Sequence, residues 1–207
     1  AKGLGVKPQR NFRKTTYPHP SMRYPNLIEG LVISTTNQLW VSDITYFYTG
    51  KEFYYICFIT DVYSRRIVGY ATSHHLKASL NIRALKMAYE SQKGKDLTGL
   101  IHHSDRGVQY CSKEYTTMLR NKGIQISMGN KAWENAHAER INGIIKNEYL
   151  FNIRPENILS LQKKLNTVIE LYNKKRPHWN LPNKASPVEF EKMSALNKNG
   201  YIVKINY

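Results

Sequence analysis

Three acidic residues, two aspartates and one glutamate, occupy positions where a carboxylate could bind a metal ion or take part in catalysis. Aspartate is scarce, because the chain contains only Asp43, Asp61, Asp96 and Asp105. Asp43 interrupts an apolar run that starts at Leu39, where an ionised carboxylate costs free energy unless a partner or a metal ion compensates it. Asp105 directly follows the run Leu-Ile-His-His, at a strand end where functional groups of α/β sheets often gather. Both aspartates are therefore candidates for a site.

The third candidate is Glu139, in the segment Glu-Asn-Ala-His-Ala-Glu-Arg-Ile-Asn-Gly-Ile-Ile-Lys. At about 100° per residue, a helix here carries one polar stripe, while its isoleucines point elsewhere. The stripe consists of Asn135, Glu139, Asn142, Gly143 and Lys146. Glu134 and Glu148 are rivals for the third position, and helical phase alone does not eliminate Glu148.

Two aspartates and one glutamate, with no cysteine or paired histidine nearby in sequence, form a set of hard oxygen ligands. Such a set suits Mg²⁺ or Mn²⁺ rather than zinc. The alternative is three unrelated acids, on an edge strand, in a turn and on a solvent-facing helix, and spacing alone does not decide between them. Asp61 precedes a Ser-Arg-Arg turn, so we predict that it caps this turn instead of entering the site.

Hydrophobic patterning predicts the elements that must position these acids. Three β-rich runs from Leu39 onwards, separated by short turns, predict an antiparallel meander. Helices are predicted at 78–91, 112–120, 135–149 and 159–172, with short strands at 99–103 and 124–126. The order β-β-β-α-β-α-β-α-α predicts an α/β fold of the ribonuclease H-like kind. In this fold a mixed sheet, the meander plus parallel strands, is flanked by helices.

Composition points to a polyanionic partner. The 207 residues include 31 Lys and Arg against 15 Asp and Glu, a formal charge of +16, interleaved with 15 Tyr and 3 Trp. This balance favours nucleic acid, although a merely solvated basic surface is the alternative. Cys57 and Cys111 lie outside any C-x-x-C spacing, which excludes a disulfide framework or zinc ribbon. No run approaches the ~18 apolar residues of a membrane span, so we expect a cytoplasmic protein, nucleoid-associated when bound to DNA.

Charge and proline patterns predict the domain organisation. Residues 1–36 are expected to form a basic linker or arm, and 37–152 the catalytic core. Residues 153–192 are expected to be a helical C-terminal extension of that core, and 193–207 a tail. The chain lacks an initiator methionine and shows no helix-turn-helix, so we expect it to be part of a longer polypeptide with such a region towards its N terminus.

Four ordered blocks carry a resemblance to a known family. They are Trp40-Val-Ser-Asp-Ile-Thr-Tyr, Asp61-Val-Tyr-Ser-Arg, His103-Ser-Asp-Arg-Gly-Val-Gln-Tyr and Glu134-Asn-Ala-His-Ala-Glu. These blocks resemble those of retroviral-integrase-like DDE transposases, and especially the second-frame product of bacterial insertion sequences of the IS-three group. A run from Tyr172 to His178 and the segment Ser-Pro-Val-Glu-Phe after it are similar to the end of that integrase core. The resemblance covers roughly residues 24 to 191.

The resemblance implies that Asp43, Asp105 and Glu139 are the catalytic, metal-binding triad. The 34 positions between Asp105 and Glu139 are slightly fewer than the family's spacing, and a glycine-containing loop after Met128 is expected to absorb the difference. The implied chemistry is phosphodiester cleavage at transposon ends, then attack of the freed 3′-hydroxyl on another strand. Two Mg²⁺ or Mn²⁺ ions about 3.5–4 Å apart would serve both steps. The implied partners are DNA, as transposon ends and target, and further copies of the chain on that DNA.

Several residues outside the triad are candidates for contacts with DNA: Lys146, Arg106, Trp133, Arg140 and Arg176. Ordinary solvated cations are the alternative for the basic ones, and a role at a helix C terminus is the alternative for Arg176. Trp40 is interpreted as a core aromatic, and His102, His103 and His137 as structural histidines. The competing functions are a ribonuclease H-like nuclease without joining activity and a non-catalytic DNA-binding remnant of a decayed transposase.

Overall fold

The computed structural model describes residues 24–129, 132–196 and 200–205, without the side chains of residues 132 and 133. Seven strands occur in this part of the chain: β1 Val32–Ile33, β2 Leu39–Tyr48, β3 Phe53–Asp61, β4 Ile67–Ser73, β5 Ile101–Ser104, β6 Gln125–Met128 and β7 Val203–Lys204. The main sheet has the order β4-β3-β2-β5-β6. Strands β2, β3 and β4 form the antiparallel meander, and β5 and β6 extend it in parallel. The predicted mixed sheet is confirmed.

The first four helices follow the predicted order with small shifts at their ends, and a fifth was not in that order. They are α1 Ala78–Ser91, α2 Lys113–Arg120, α3 Ala136–Ile144, α4 Ile158–Lys175 and α5 Pro187–Leu196. The segment predicted as one helix over 135–149 is divided. A 3₁₀ turn, Ala132–Asn135, precedes α3, and a π-helical segment, Ile145–Tyr149, continues it. Such a π segment adds a residue to one turn, which hydrophobic periodicity does not reveal.

Alternation along β2 separates the two faces of the main sheet. Trp40 and Ile44 pack into a core with residues of α1 and α2. Phe47 packs on the opposite face, against Ile141 of α3 and Leu165 of α4. Because side chains of a strand alternate between faces, Asp43 projects towards the α3 and α4 side.

Both ends of the described chain pack on the domain, which corrects two predicted boundaries. Ile28 and Ile33 are fully buried, in the segment predicted to be an arm. Strand β1 pairs antiparallel with β7, in the segment predicted to be a tail, and Ile205 is buried as well. Apolar side chains of 24–36 and 200–205 therefore belong to the folded domain. The predicted arm over 1–23 lies outside the described residues.

Two further properties bear on the expectations from composition. Cys57 and Cys111 are both buried free thiols. No helix within the described ranges is long and apolar enough to cross a membrane.

Candidate active site

The register between β2 and β5 brings the two candidate aspartates together. The strands are parallel, and Ser42 stands opposite Ser104. Asp43 and Asp105 are the next residues on either side, one position beyond this last pair of the β2–β5 register. Side chains in register on neighbouring parallel strands point to the same face. The backbone N–H of Gly107 donates to Asp105 Oδ1 at 3.0 Å, which fixes the turn that follows β5.

Helix α3 brings the third acid to the same face. Asn142 Nδ2 donates to Asp43 Oδ2 at 2.7 Å, and Asn135 Nδ2 donates to the backbone oxygen of Ser42 at 3.1 Å. The predicted polar stripe therefore faces β2, around Asp43. Glu139 lies on this stripe, one turn before Asn142, and is exposed. Its carboxylate is close enough to act electrostatically on Asp43.

Electrostatics show that the three acids share one environment. Burial, together with the smaller effects of the charges of Asp105 and Glu139, raises the pKa of Asp43 to about 8. Hydrogen bonds from the Ile44 backbone and from Asn142 oppose this rise in pKa. Like charges that approach closely disfavour ionisation. The site is therefore a concentration of negative charge that the protein's own donors compensate only in part.

The donor chemistry fits a hard divalent cation. Carboxylate oxygens are the ligands that Mg²⁺ and Mn²⁺ prefer. Within the described ranges, no three His, Cys, Asp or Glu side chains stand close enough to form a metal site as they are. Asp43, Asp105 and Glu139 are the residues that could hold such an ion.

Two of the predicted DNA contacts border the acids. Lys146 lies with its Nζ 4.7 Å from the centroid of the Tyr46 ring, on β2 beyond Asp43. Burial lowers the pKa of Lys146, and the charge of Asp43 acts in the opposite direction. Arg106 is half-buried beside Asp105, and its Nε has no hydrogen-bond partner among the described residues. The side chain of Trp133 lies outside the described part of the structure.

Asp61 lies outside this cluster, and its predicted capping role is confirmed. Asp61 Oδ1 accepts hydrogen bonds from the Ser64 N–H at 2.8 Å and from Ser64 Oγ at 3.0 Å. Its Oδ2 accepts a hydrogen bond from the backbone N–H of Asn37 at 2.7 Å. Burial raises the pKa of Asp61 to about 6, although these hydrogen bonds favour the ionised form.

The rival glutamates have other partners. Arg176 forms a bidentate ion pair with Glu148, from Nε at 2.7 Å and from Nη2 at 2.8 Å. This pair lowers the pKa of the Glu148 carboxyl, and it gives Arg176 a carboxylate partner besides its place at the end of α4. Glu134 lies beside His103, whose pKa it raises against the dominant effect of burial. Neither glutamate is among the groups that act on Asp43.

Two of the histidines have structural partners, as predicted. His102 Nε2 and the Tyr115 hydroxyl lie 2.9 Å apart, and His103 Nδ1 lies 2.8 Å from Ser127 Oγ. Trp40 is fully buried in the core, also as predicted. Asn142 is a site residue that the sequence patterns did not single out, although its place on the stripe of Glu139 is the signal that indicates it.

Comparison of the sequence with known proteins identifies relatives among integrases and transposases. The family description "Integrase core domain" matches residues 34–132, and a second description with the same wording matches 122–185. The insertion element IS600 uncharacterized 31 kDa protein of Shigella sonnei is 39% identical over 196 residues, 90% of this chain and 70% of that protein. A putative transposase for IS986/IS6110 of Mycobacterium tuberculosis H37Ra is 37% identical over 72% of this chain. This chain spans only 56% of that transposase.

Solved structures with a similar fold include integrase cores. The HTLV-2 integrase catalytic core in complex with magnesium superposes with a TM-score of 0.59 at 20% identity, over 80% of this chain and 99% of that one. The integrase chain of a simian T-cell lymphotropic virus intasome gives a TM-score of 0.61 at 18% identity, over 84% of this chain and 60% of that one. At these identities the likeness concerns the fold.

The sheet order and the two family matches define the class of this protein as a ribonuclease H-like integrase catalytic core. Transposase InsF for insertion sequence IS3A of Escherichia coli K12 is 33% identical over 95% of this chain and 67% of its own length. The chain belongs to the integrase-core family of insertion-sequence transposases. This is a family of DDE-type DNA transposases, polynucleotidyl transferases that depend on divalent metal ions.

Proposed function

We propose that this chain catalyses the metal-dependent cleavage of DNA strands and the transfer of the freed 3′-hydroxyl during transposition of an insertion sequence. The observation that carries the proposal is the electrostatic coupling of Asp43 to both Asp105 and Glu139 on one face of the sheet. Hydrolysis and strand transfer are both in-line substitutions at phosphorus. One carboxylate site can therefore serve both, with water or a sugar hydroxyl as the attacking group.

Each acid has a separate structural role in the proposed site. Asp43 is fixed by the strand on which it stands, and Asn142 orients it. Asp105 is held by the turn after β5. Glu139 is exposed on α3 and is the most adjustable of the three. Two Mg²⁺ or Mn²⁺ ions held by these acids would activate the attacking hydroxyl and neutralise the leaving oxygen.

The DNA would be held by cations around the acids. Lys146 and Arg106 flank Asp43 and Asp105, and each is placed to contact a phosphate near the reacting one. Such contacts position the strand without reading its sequence. We assign transposon ends and target DNA as substrates. The HTLV-2 integrase core has been solved in dimeric and trimeric forms, which supports a homo-oligomer on DNA.

A strand-transfer assay with a pre-cut, labelled 3′ end tests this function. In Mg²⁺ or Mn²⁺ the chain should join that end to a second duplex, and Asp105→Asn should lower the joining rate by roughly 10³-fold. Asp96→Asn is the matched control, because Asp96 accepts a hydrogen bond from the Thr98 N–H in a surface turn away from the site. Cleavage without joining would identify a nuclease instead. Equal rates for the Asp105 and Asp96 variants would refute the assignment of the acids.

A further inference from the structure

A basic pocket lies on the same face of the sheet as the acids. Its walls come from the beginning of β2, the end of β3, helix α3 and the segment that follows α4. Three arginines and two histidines line it, together with one tryptophan and apolar residues, and none of its lining residues is acidic. These polar and aromatic side chains are Arg65, Arg140, Arg176, His137, His178 and Trp179. The pocket adjoins the acids, because Val41 in its wall is two residues before Asp43 on the same face of β2.

Arg65 reaches the pocket because of an unusual backbone conformation. Its φ of 65° lies in the left-handed region, which is costly for a residue with a side chain. The Asp61–Ser64 hydrogen bonds hold the turn just before it, and the Tyr172 hydroxyl donates to the Arg65 carbonyl at 3.1 Å. The guanidinium Nη1 lies 2.7 Å from His137 Nδ1 and can donate a hydrogen bond to it only while the imidazole ring is neutral. The fold thus keeps a strained arginine in place.

The pocket has a positive charge that the protein does not balance. Burial, and then the nearby arginines, lower the pKa values of His137 and His178 to about 4, so both rings are neutral at pH 7. The three guanidinium groups remain charged. Glu148 pairs with Arg176 and offsets only that arginine. A cavity with two further arginines is therefore built for an anion.

A buried atom with no partner points to the same kind of ligand. His178 is only 8% exposed, and its Nε2 has no hydrogen-bond partner among the described residues. Buried polar atoms in folded proteins are almost always paired, so a lone ring nitrogen in a cavity wall indicates a bound group. The rim adds an aromatic surface, because Trp179 is 78% exposed. Lys184 Nζ lies 4.0 Å from the centroid of that indole ring.

We propose that this pocket binds a phosphate group of a DNA strand, with the base beside that phosphate stacked on Trp179. The arginines supply charge-assisted hydrogen bonds to the phosphate oxygens, and His178 Nε2 supplies a donor from the wall. Exposed aromatic rings next to cationic grooves are typical of surfaces that bind single strands. The inference that the pocket binds a phosphate group depends on the pocket alone, whereas the assignment of that phosphate to DNA rests on the proposed function. The bound strand segment would lie outside the reacting position, beyond Val41.

Equilibrium binding of a fluorescent single-stranded oligonucleotide to the whole chain, in chelator and without divalent metal, tests the proposal. Arg140→Gln and Trp179→Ala remove exposed side chains, so both variants should fold. Each should weaken binding about tenfold, and Arg140→Gln should also reduce the dependence of affinity on salt by about one phosphate contact. Arg154→Gln is the matched control, since Arg154 is exposed and binds only backbone carbonyls. It should change the affinity by less than about twofold.

The outcomes separate the possible sources of the phosphate. Two results together support a DNA strand as the ligand. Inorganic phosphate should compete only at a far higher concentration than unlabelled oligonucleotide, and Trp179→Ala should weaken oligonucleotide binding. Inorganic phosphate that binds as tightly as the oligonucleotide, with no effect of Trp179→Ala, overturns the assignment to DNA. Arg140→Gln that behaves like Arg154→Gln overturns the pocket altogether. The binding measurement uses neither metal nor catalysis. Its result can therefore be interpreted even if the chain fails in the strand-transfer assay.

Discussion

Asp43 and Asp61 are carboxylates on neighbouring strands of one sheet, and the protein treats them differently. Asp61 accepts three hydrogen bonds, two from Ser64 and one from Asn37, and so joins two turns. Asp43 accepts one side-chain hydrogen bond, from Asn142, and has two other acids nearby. Burial raises the pKa of both groups; two neighbouring carboxylates, Asp105 and Glu139, add to the rise at Asp43, and one, Glu191, adds to it at Asp61.

The difference teaches how a buried acid can be assigned to structure or to chemistry. A buried carboxylate costs free energy that something must compensate. At Asp61 the compensation comes from donors within a few residues or in an adjacent turn, so the carboxylate stabilises the fold. At Asp43 the protein supplies less than is needed, and a cation from outside the chain would supply the rest. Four measurements can break or sharpen this contrast.

The largest expected effect is the increase in the free energy of unfolding when a metal ion binds to Asp43, Asp105 and Glu139. Saturating Mg²⁺ or Mn²⁺, at about 100 times the dissociation constant, should stabilise the wild-type chain by about 2.7 kcal/mol. Asp43→Asn should abolish most of this gain. Without metal it should melt at the same temperature as wild type or higher, because at pH 7 the raised pKa makes an ionised Asp43 unfavourable for folding. Differential scanning calorimetry measures both, and a metal-free Asp43→Asn that melts well below wild type contradicts the contrast.

Asp61→Asn should have the opposite effects: it should destabilise the fold but leave the stabilisation by metal unchanged. The amide nitrogen would meet a donor, the Asn37 or the Ser64 N–H, where the carboxylate now accepts from both. We expect a loss of about 1–3 kcal/mol in the free energy of unfolding, with the metal-dependent rise in melting temperature retained. Denaturant titration with and without Mg²⁺ measures these quantities. Loss of the metal effect in Asp61→Asn would place this acid in the site after all.

Asn142→Ala tests whether the side chain that donates a hydrogen bond to Asp43 also orients this carboxylate for metal binding. Removal of such a partner weakens metal affinity by roughly 10–100-fold, and we expect the low end because the Ile44 backbone also donates to Asp43. The melting temperature measured against Mg²⁺ concentration gives this affinity. Asn166→Ala, in an exposed side-chain hydrogen-bond network on α4, is the control. Equal affinities in the two variants would remove Asn142 from the site.

The smallest effect is expected at the rival glutamate. Glu148→Gln breaks a half-exposed ion pair with Arg176, so it should cost no more than about 1 kcal/mol of stability. It should leave the metal-dependent shift in melting temperature unchanged, whereas Glu139→Gln should reduce that shift. The two variants carry the same chemical change within one continuous helical segment. A reversal of their effects would exchange the assignments of Glu139 and Glu148.

Local patterns predicted the parts of the fold that local physics decides. The spacing of apolar residues predicted α1 with its observed ends, and the β-rich runs separated by short turns predicted the meander. The role of Asp61 was also predictable, because its main partner is three residues away. The polar stripe of α3 was visible in the same way, including Asn142.

The features that could not be predicted from the sequence depend on contacts between residues far apart in the chain. The register of β2 against β5 joins residues about 60 positions apart and is set by the whole sheet. The choice between Glu139 and Glu148 depended on Arg176, 28 residues beyond Glu148. The packing of 24–36 depended on pairing with β7, at the other end of the chain. The basic pocket escaped notice because its residues come from four separate segments.

The parallel register of β2 and β5 has a consequence for length changes in the connection that enters β5. A shift of β5 by one residue would turn the Asp105 carboxylate to the opposite side of the sheet, into the apolar layer beneath α1 and α2. A shift by two would keep it on the correct side but displace it by about 6.6 Å along the strand. Insertions and deletions before β5 can therefore be tolerated only where the surface turns absorb them completely, ahead of Ile101.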